Sequence, residues 1–159
     1  MTDNNIILTA SEIKERLRIM SWHGIFIDEF TCGDKRIDVA IIDTRHRWVR
    51  GFEIKTNRQD YLNDYKWTTY TQFLSSLSIV CPEGLIEPKE VYRPFGLLWV
   101  GQGRMTWKKR PCNFQERRTL AWLWTYVSLL EIEVPRMKME IISLRYQLEE
   151  AGRKNGQKS

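Results

Sequence analysis

Apolar and polar residues alternate with two different periods along the chain, and these periods predict its first helix and its strands. Residues 12–20 place Ile13, Leu17 and Met20 on one helical face, and Ser11 is the candidate N-terminal cap. Strands are predicted where apolar or β-branched residues alternate with polar ones between turn residues, at 25–30, 36–42, 48–55, 78–81, 94–101 and 105–107.

Together these elements predict a fold that combines helices with one mixed sheet. The first three strands are joined by short polar turns, which favours an antiparallel meander. A polar and aromatic helix is predicted over 57–76, between the third and fourth strands. The order is therefore α-β-β-β-α-β with further strands after it, and the predicted class is α/β or α+β, with a mixed sheet flanked by helices.

The chain changes character beyond Pro111, where helices are predicted over 114–131 and 136–151. A narrow apolar seam follows the second helix through Met137, Ile141, Leu144 and Leu148. Such a seam either packs on its own domain or joins two copies as a homodimer, and the sequence leaves both alternatives open.

Length and composition limit the chain to one main core. Its 159 residues are 42% hydrophobic and 28% charged, as in globular domains. No apolar run approaches the roughly 20 residues that span a bilayer, and the N-terminus lacks the order of a secretory signal, so we expect a cytoplasmic protein without membrane contact. The three cysteines form no CxxC pair and are expected to be reduced. The predicted division is a core domain over 1–110, a helical extension over 111–151 and a flexible tail over 152–159.

Charge is distributed unevenly between the two parts of the chain. Residues 1–100 carry 13 basic and 14 acidic side chains, whereas residues 101–159 carry 12 and 6. A front with clustered carboxylates and a basic back suits a protein that holds a metal with one part and phosphates with the other. A solvated helical surface explains the basic back equally well. The candidate phosphate contacts are Arg36, Lys66, Lys108, Lys109 and Arg110.

The candidate chemistry lies between Asp38 and Lys55. In a strand, Glu53 and Lys55 point to one face while Phe52 and Ile54 point to the other. If the two strands pair as a hairpin, Asp38 comes close to Glu53, and two such carboxylates repel each other unless a cation lies between them. The expected cofactor is Mg²⁺ or Mn²⁺, because Mg²⁺ prefers oxygen ligands and keeps waters for substrate phosphates.

Lys55 completes a candidate hydrolytic site. An ammonium beside an acidic water orients the nucleophile and stabilises the charge that develops on a phosphate. Glu29 in the first strand, and Glu12 and Glu15 in the first helix, are candidate accessory carboxylates, although solvated surface positions explain the two helical residues more simply. For the central three residues the alternative is an exposed strand face with a weak salt bridge.

Two motifs in this stretch resemble those of a known family. The first is RIDV at 36–39, and the second is GFEIKT at 51–56, followed by Asp60, Asp64, Lys66, Trp67 and Tyr70. These motifs resemble the PD-(D/E)XK nuclease superfamily in three features: an arginine two residues before an aspartate, an ExK strand, and a helix with aspartates and a Lys-Trp pair. They are more specifically similar to the MmcB-like group of bacterial DNA-repair nucleases. The resemblance covers residues 12–101.

This resemblance implies a restriction-endonuclease-like core that hydrolyses DNA phosphodiester bonds in repair, recombination or phage DNA processing. It implies that Asp38 and Glu53 are metal ligands, with the Ile54 carbonyl as a further ligand. Lys55 would position the attacking water, and Glu29 would be an accessory acid. Ile37 stands where the group has a small residue, which leaves the substrate preference open. Because no base-reading motif is present, we expect DNA recognition to be structure-directed.

A non-catalytic nucleic-acid-binding module on the same fold is the alternative to an enzyme. It would contact phosphates through the basic residues 108–110 and 117–118. The set of two carboxylates and a lysine favours the enzyme, because a binding module has no need of it. A third hypothesis is an interaction protein that dimerises through the C-terminal seam.

Overall fold

A computed structural model describes residues 8–21, 24–32, 34–43, 45–64, 67–114, 128–130, 132 and 135–147. The chain divides into two compact units, Met1–Trp124 and Thr125–Ser159. The described helices of the first unit are α1 Ala10–Met20, α2 Arg58–Leu62 and α3 Trp67–Tyr70. Its described strands are β1 Ile25–Cys32, β2 Lys35–Asp43, β3 Trp48–Ile54, β4 Ser76–Pro82, β5 Gly96–Val100 and β6 Met105–Lys109.

The six strands form one mixed sheet in which their spatial order is their order in the chain. Strands β1, β2 and β3 are antiparallel neighbours, which confirms the predicted meander. Strands β3, β4 and β5 are parallel, and β6 returns antiparallel to β5. A parallel pair needs a crossover connection, and α2 and α3 lie in the one that joins β3 to β4. The fold is therefore α+β, with a mixed sheet flanked by helices, as predicted.

Helix α1 covers one face of the sheet. Its residues Ile13 and Leu17 are fully buried, as the apolar periodicity predicts, whereas Met20, predicted on the same face, is exposed in the last turn. They belong to a hydrophobic cluster that includes alternate residues of the strands, namely Val39, Ile41, Phe52, Ile54, Val80, Leu98 and Val100. The helix is capped by Thr9, not by Ser11 as predicted. The side chain of Thr9 accepts from the Glu12 amide, and the Glu12 carboxylate accepts from the Thr9 amide at 2.8 Å.

The single helix predicted over 57–76 is wrong, because the structure has two short helices there. The Asn57 side chain caps α2 by accepting from the Asp60 amide, and Asn63 ends the helix after five residues. Asn and Asp side chains compete with the helical backbone for hydrogen bonds. Asn57 and Asn63, which were predicted to lie within one long helix, instead stand at the two ends of α2. Strand β4 begins at Ser76, two residues before the predicted strand.

Close packing on the sheet face that α1 does not cover depends on Gly51 of β3. A Cβ at this position would lie 2.5 Å from the Cδ1 atoms of both Ile37 and Leu74. Both side chains are fully buried, so the missing side chain of Gly51 lets the segment after α3 approach the sheet. This approach brings the crossover connection close to the end of β3.

The second compact unit contains a helix at 135–147, which begins one residue before the helix predicted over 136–151. Residues 115–127 of the other predicted helix, residues 148–151 and the predicted tail lie outside the described residues. Homodimerisation through this unit stays a prediction. In the part of the chain that the structure describes, no helix combines the length and apolar character that a membrane span requires. Cys81 and Cys112 are free thiols, and burial raises the pKa of Cys81 to about 12.

Candidate active site

The two predicted carboxylates come together where the pairing between β2 and β3 ends. Val39 and Phe52 are the last registered pair of these strands, so Asp38 and Glu53 are the next residues along. Phe52 and Ile54 belong to the cluster beneath α1, and Glu53 between them therefore points to the other face of the sheet.

Asp38 is tied to β3 by its side chain. Its Oδ2 accepts a hydrogen bond from the Ile54 amide at 2.7 Å. Burial raises the pKa of Asp38, while the hydrogen bond from Ile54 and the charge of Lys55 act in the opposite direction. The Asp38 carboxylate is thus held beside the residue that follows Glu53. The Ile54 carbonyl as a metal ligand stays a prediction.

Glu53 is a buried carboxylate with an incomplete set of partners. Only 6% of the residue is exposed, and its Oε1 atom has no hydrogen-bond partner among the described residues. Burial, and after it the negative charge of Asp38, raise its pKa from 4.5 to about 8. Lys55 opposes this shift. A buried carboxylate with an unpartnered oxygen is costly, and a cation or a proton would lower that cost.

Lys55 lies beside both carboxylate-bearing strands, but its closest partner comes from another segment. Its amide donates to the Val80 carbonyl at 2.9 Å, which extends the pairing of β3 with β4. Its Nζ atom lies 2.6 Å from Oδ2 of Asp64 and 3.9 Å from Oε2 of Glu53. The structure therefore brings Asp38, Glu53 and Lys55 together, as predicted.

Asp64 and Tyr70 are site residues that sequence reasoning did not assign. Asp64 was expected on a helical face together with Asp60, but it lies beyond the end of α2. The Tyr70 hydroxyl donates to the Arg36 carbonyl at 3.1 Å and is close enough to Glu53 to lower its pKa. The break of the helix at Asn63 was the available signal for Asp64, whereas Tyr70 carried none beyond its expected burial.

Glu29 lies close to the site but already has two cationic partners. Its backbone has a φ of 55°, and its carboxylate lies 2.7 Å from both Lys14 Nζ and Arg36 Nε. Its negative charge contributes to raising the pKa of Asp38. Arg36 is thus paired with Glu29, although its side chain is largely exposed.

Glu12 belongs to the cap of α1. Its carboxylate accepts from both the amide and the hydroxyl of Thr9 at 2.8 Å, and these hydrogen bonds lower its pKa. The structure gives Glu12 this local role and does not pair it with Asp38 or Glu53, because a capping-box glutamate must turn back toward the first turn of its own helix.

Replacing Glu12 with glutamine is therefore expected to weaken α1 and to leave any metal-dependent cleavage unchanged. Thermal unfolding and a cleavage assay would measure the two effects separately. Glu15→Gln is the matched control, since Glu15 is exposed and forms a surface ion pair with Arg18 at 3.3 Å. Loss of cleavage in a folded Glu12→Gln protein would contradict this prediction and would indicate that Glu12 takes part in the active site.

The predicted phosphate contacts have different surroundings. The Lys108 ammonium lies 4.5 Å above the ring of Trp99, Lys109 donates to the Val91 carbonyl, and Arg110 is exposed. Lys66 lies outside the described residues. Strand β6 is three strands away from β3 and four away from β2, so Lys108 and Lys109 lie about 14 Å across the sheet from the strand of Glu53 and about 19 Å from the strand of Asp38.

The residues at the site fit a divalent cation only in part. Across the described ranges, no group of three or more His, Cys, Asp or Glu side chains stands together as a metal site. Asp38 and Glu53 nevertheless provide two carboxylates, one with an unpartnered oxygen. Mg²⁺ is commonly bound by one or two carboxylates and completes its coordination with waters and substrate phosphates, so two carboxylates match its needs.

Comparison with known proteins supports the general fold. No protein-family model matches the sequence, and no matching curated protein was found. The structure is similar to that of the SPO1766 protein of unknown function from Silicibacter pomeroyi, with a TM-score of 0.56. The sequences are 16% identical, and the similarity covers 78% of this chain and 90% of that chain. At this identity the similarity shows a common fold and carries no statement about activity.

Proposed function

We propose that this protein is a metal-dependent nuclease with a restriction-endonuclease-like core of the PD-(D/E)XK class, which hydrolyses DNA phosphodiester bonds. The observation that carries the proposal is the buried Glu53 carboxylate beside the partly buried Asp38. One Glu53 oxygen has no partner among the described residues, and the Lys55 ammonium lies 3.9 Å from the other. Placing these charged groups away from water is costly, and a bound cation that takes part in catalysis would explain why they are kept together.

In this proposal the two carboxylates hold the cation and Lys55 acts on the reacting groups. The cation supplies charge neutralisation and Lewis acidity toward water and phosphate when it is bound. The Asp38 carboxylate is held in place by its hydrogen bond from Ile54. The Lys55 ammonium, fixed at the end of β3, orients water and stabilises negative charge that develops on the phosphate.

The proposed substrate is DNA recognised by its shape and backbone. The described site offers carboxylates and an ammonium but no arrangement of groups that would read base edges. The exposed Arg36 side chain, paired with Glu29 near Asp38, is the proposed phosphate contact closest to the site. A proposed role in repair, recombination or phage DNA processing agrees with structure-directed recognition.

A cleavage assay with defined DNA substrates tests the proposal. Purified protein is incubated with single-stranded, duplex and branched DNA in Mn²⁺, Mg²⁺ or EDTA. We expect cleavage of at least one substrate in the presence of a divalent ion and none in EDTA. Equal cleavage in EDTA, or no cleavage of any substrate, would contradict a metal-dependent nuclease.

The placement of two basic residues supports the alternative, a non-catalytic nucleic-acid-binding module. Lys108 and Arg110 are both exposed and lie two residues apart at the end of the edge strand β6, whereas Lys109 between them is bound to a carbonyl. Lys108 lies in β6 and Arg110 follows the last residue of that strand, so both cations lie at the same end of an edge strand, where one phosphate backbone can reach them.

Charge reversal of this pair separates the alternative from the enzyme. In the double variant Lys108→Glu/Arg110→Glu we expect weaker DNA binding. The affinity should also depend less steeply on salt concentration, because each replaced residue removes about one phosphate contact. Lys89→Glu, a change at another exposed lysine, is the control. Unchanged affinity and salt dependence would remove this pair from the DNA interface.

A further inference from the structure

Two carboxylates, one buried and one partly buried, compete for the ammonium of Lys55. Oδ2 of Asp64 lies 2.6 Å from Nζ, within hydrogen-bonding distance, whereas Oε2 of Glu53 lies 3.9 Å away, beyond it. The side chains of Lys55, Glu53 and Asp64 are 11%, 8% and 16% exposed, so water screens their attraction only weakly.

The backbone around α2 determines which carboxylate is closer to Lys55. Asn57 caps the start of the helix, and Arg58 donates to the Leu85 carbonyl at 3.0 Å and pairs with Glu90. Asn63 then ends the helix. The Asp64 amide donates to the Tyr61 carbonyl at 3.3 Å, so the backbone that carries Asp64 is held by α2.

Without the negative charge of Asp64, Glu53 would be the nearest carboxylate to the ammonium. The ammonium would then move toward Glu53 and turn the present ion pair at 3.9 Å into a hydrogen-bonded one, because a buried charge is costly without a close partner. An ammonium bound to Glu53 would compete with a cation for the same carboxylate.

We propose that Asp64 is a positioning residue that holds the Lys55 ammonium away from the Glu53 carboxylate, so that Glu53 stays available to a divalent cation. This inference rests on the proposed function of the site. It assigns to Asp64 a role that acts through Lys55 and requires no contact between Asp64 and the cation.

Titration of the full-length protein with MnCl₂ alone, followed by calorimetry, tests this role without a cleavage assay. The proteins are the wild type, Asp64→Asn, Lys55→Ala and the double variant. We expect Asp64→Asn to raise the Kd for Mn²⁺ in both backgrounds, because it removes a nearby negative charge. If Asp64 acts through Lys55, the increase is about tenfold larger when Lys55 is present, a coupling typical of contacting charges. An equal increase in both backgrounds would overturn the inference.

Conservative variants separate positioning from a general effect on folding. Asp64→Glu keeps the charge and is expected to restore Mn²⁺ affinity close to that of the wild type. Asp60→Asn makes the same chemical change at an exposed aspartate of α2 that accepts from the Asn57 side chain, and should leave the affinity unchanged. Equal losses of affinity in Asp64→Asn and Asp64→Glu would contradict a role for this charge.

The outcomes also distinguish this inference from the proposed function. If the wild type binds no Mn²⁺, both are overturned. If the wild type binds Mn²⁺ and cleaves DNA but the two backgrounds respond equally to Asp64→Asn, only the positioning role fails. If the coupling is found in a protein that cleaves none of the DNA substrates, the positioning role holds and the nuclease proposal fails.

Discussion

Replacing Lys55 with alanine is expected to lower the rate of Mn²⁺-dependent DNA cleavage by about a thousandfold, the loss observed when one group that stabilises a transition state is removed. DNA binding should persist, because the proposed phosphate contacts lie elsewhere. The physical reason is the position of the ammonium, 3.9 Å from Glu53 on the strand that carries the proposed metal ligand. Cleavage under single-turnover conditions and filter binding measure the two effects.

The control for this prediction must show that the Lys55 variant is folded. Alanine leaves Asp64 without the ammonium 2.6 Å away, so some loss of stability is expected, and the assay temperature must lie below the unfolding transition. Lys89→Ala, at an exposed position away from the carboxylates, should cleave at the wild-type rate. If Lys55→Ala cleaves at the rate of Lys89→Ala, the activity comes from another site or another protein.

The metal-free protein is expected to lose stability as the pH rises from about 4.5 to about 8, because Glu53 is buried. Its pKa is raised from 4.5 to about 8 in the folded protein, so the folded state holds a proton that the unfolded state releases. The stabilisation that this proton provides is fully present below pH 4.5 and is lost as the pH rises through the folded pKa. At about 1.4 kcal/mol per pKa unit, the loss is a few kcal/mol, or roughly 10 °C in Tm.

Thermal unfolding in EDTA at pH 5 and pH 8 measures this dependence. Glu53→Gln keeps the shape of the side chain without its charge, so this variant should lose most of the pH dependence and exceed the wild type in Tm at pH 8. Glu87→Gln, at an exposed position, should behave as the wild type. Asp38, whose pKa is also raised by burial, leaves a smaller dependence of the same sign. Equal slopes in the wild type and Glu53→Gln would refute a costly buried charge at this position.

Much of the sheet could be predicted because the alternation of apolar and polar residues along a strand indicates which side chains are buried. The alternation around Glu53 follows from the apolar residues Phe52 and Ile54, which pack beneath α1. The short turns of the first three strands could make only a meander. The single helix predicted over 57–76 was wrong because the chain has helix boundaries inside that range. The Asn57 side chain caps the start of α2 by accepting from the Asp60 amide, and the helix ends at Asn63, whose side chain accepts from the Gln59 side chain.

The sequence by itself determined the antiparallel order of the first three strands and the presence of two carboxylates and a lysine on neighbouring strands, since alternation and turn chemistry are local properties of the chain. Only the tertiary structure decided which charges meet. Lys55 pairs with Asp64, nine residues away, Glu12 turns back to cap its own helix, and one oxygen of Glu53 is left without a partner. These outcomes depend on how a crossover connection packs against the sheet, and on the cost of burying charge, neither of which is encoded in residue spacing.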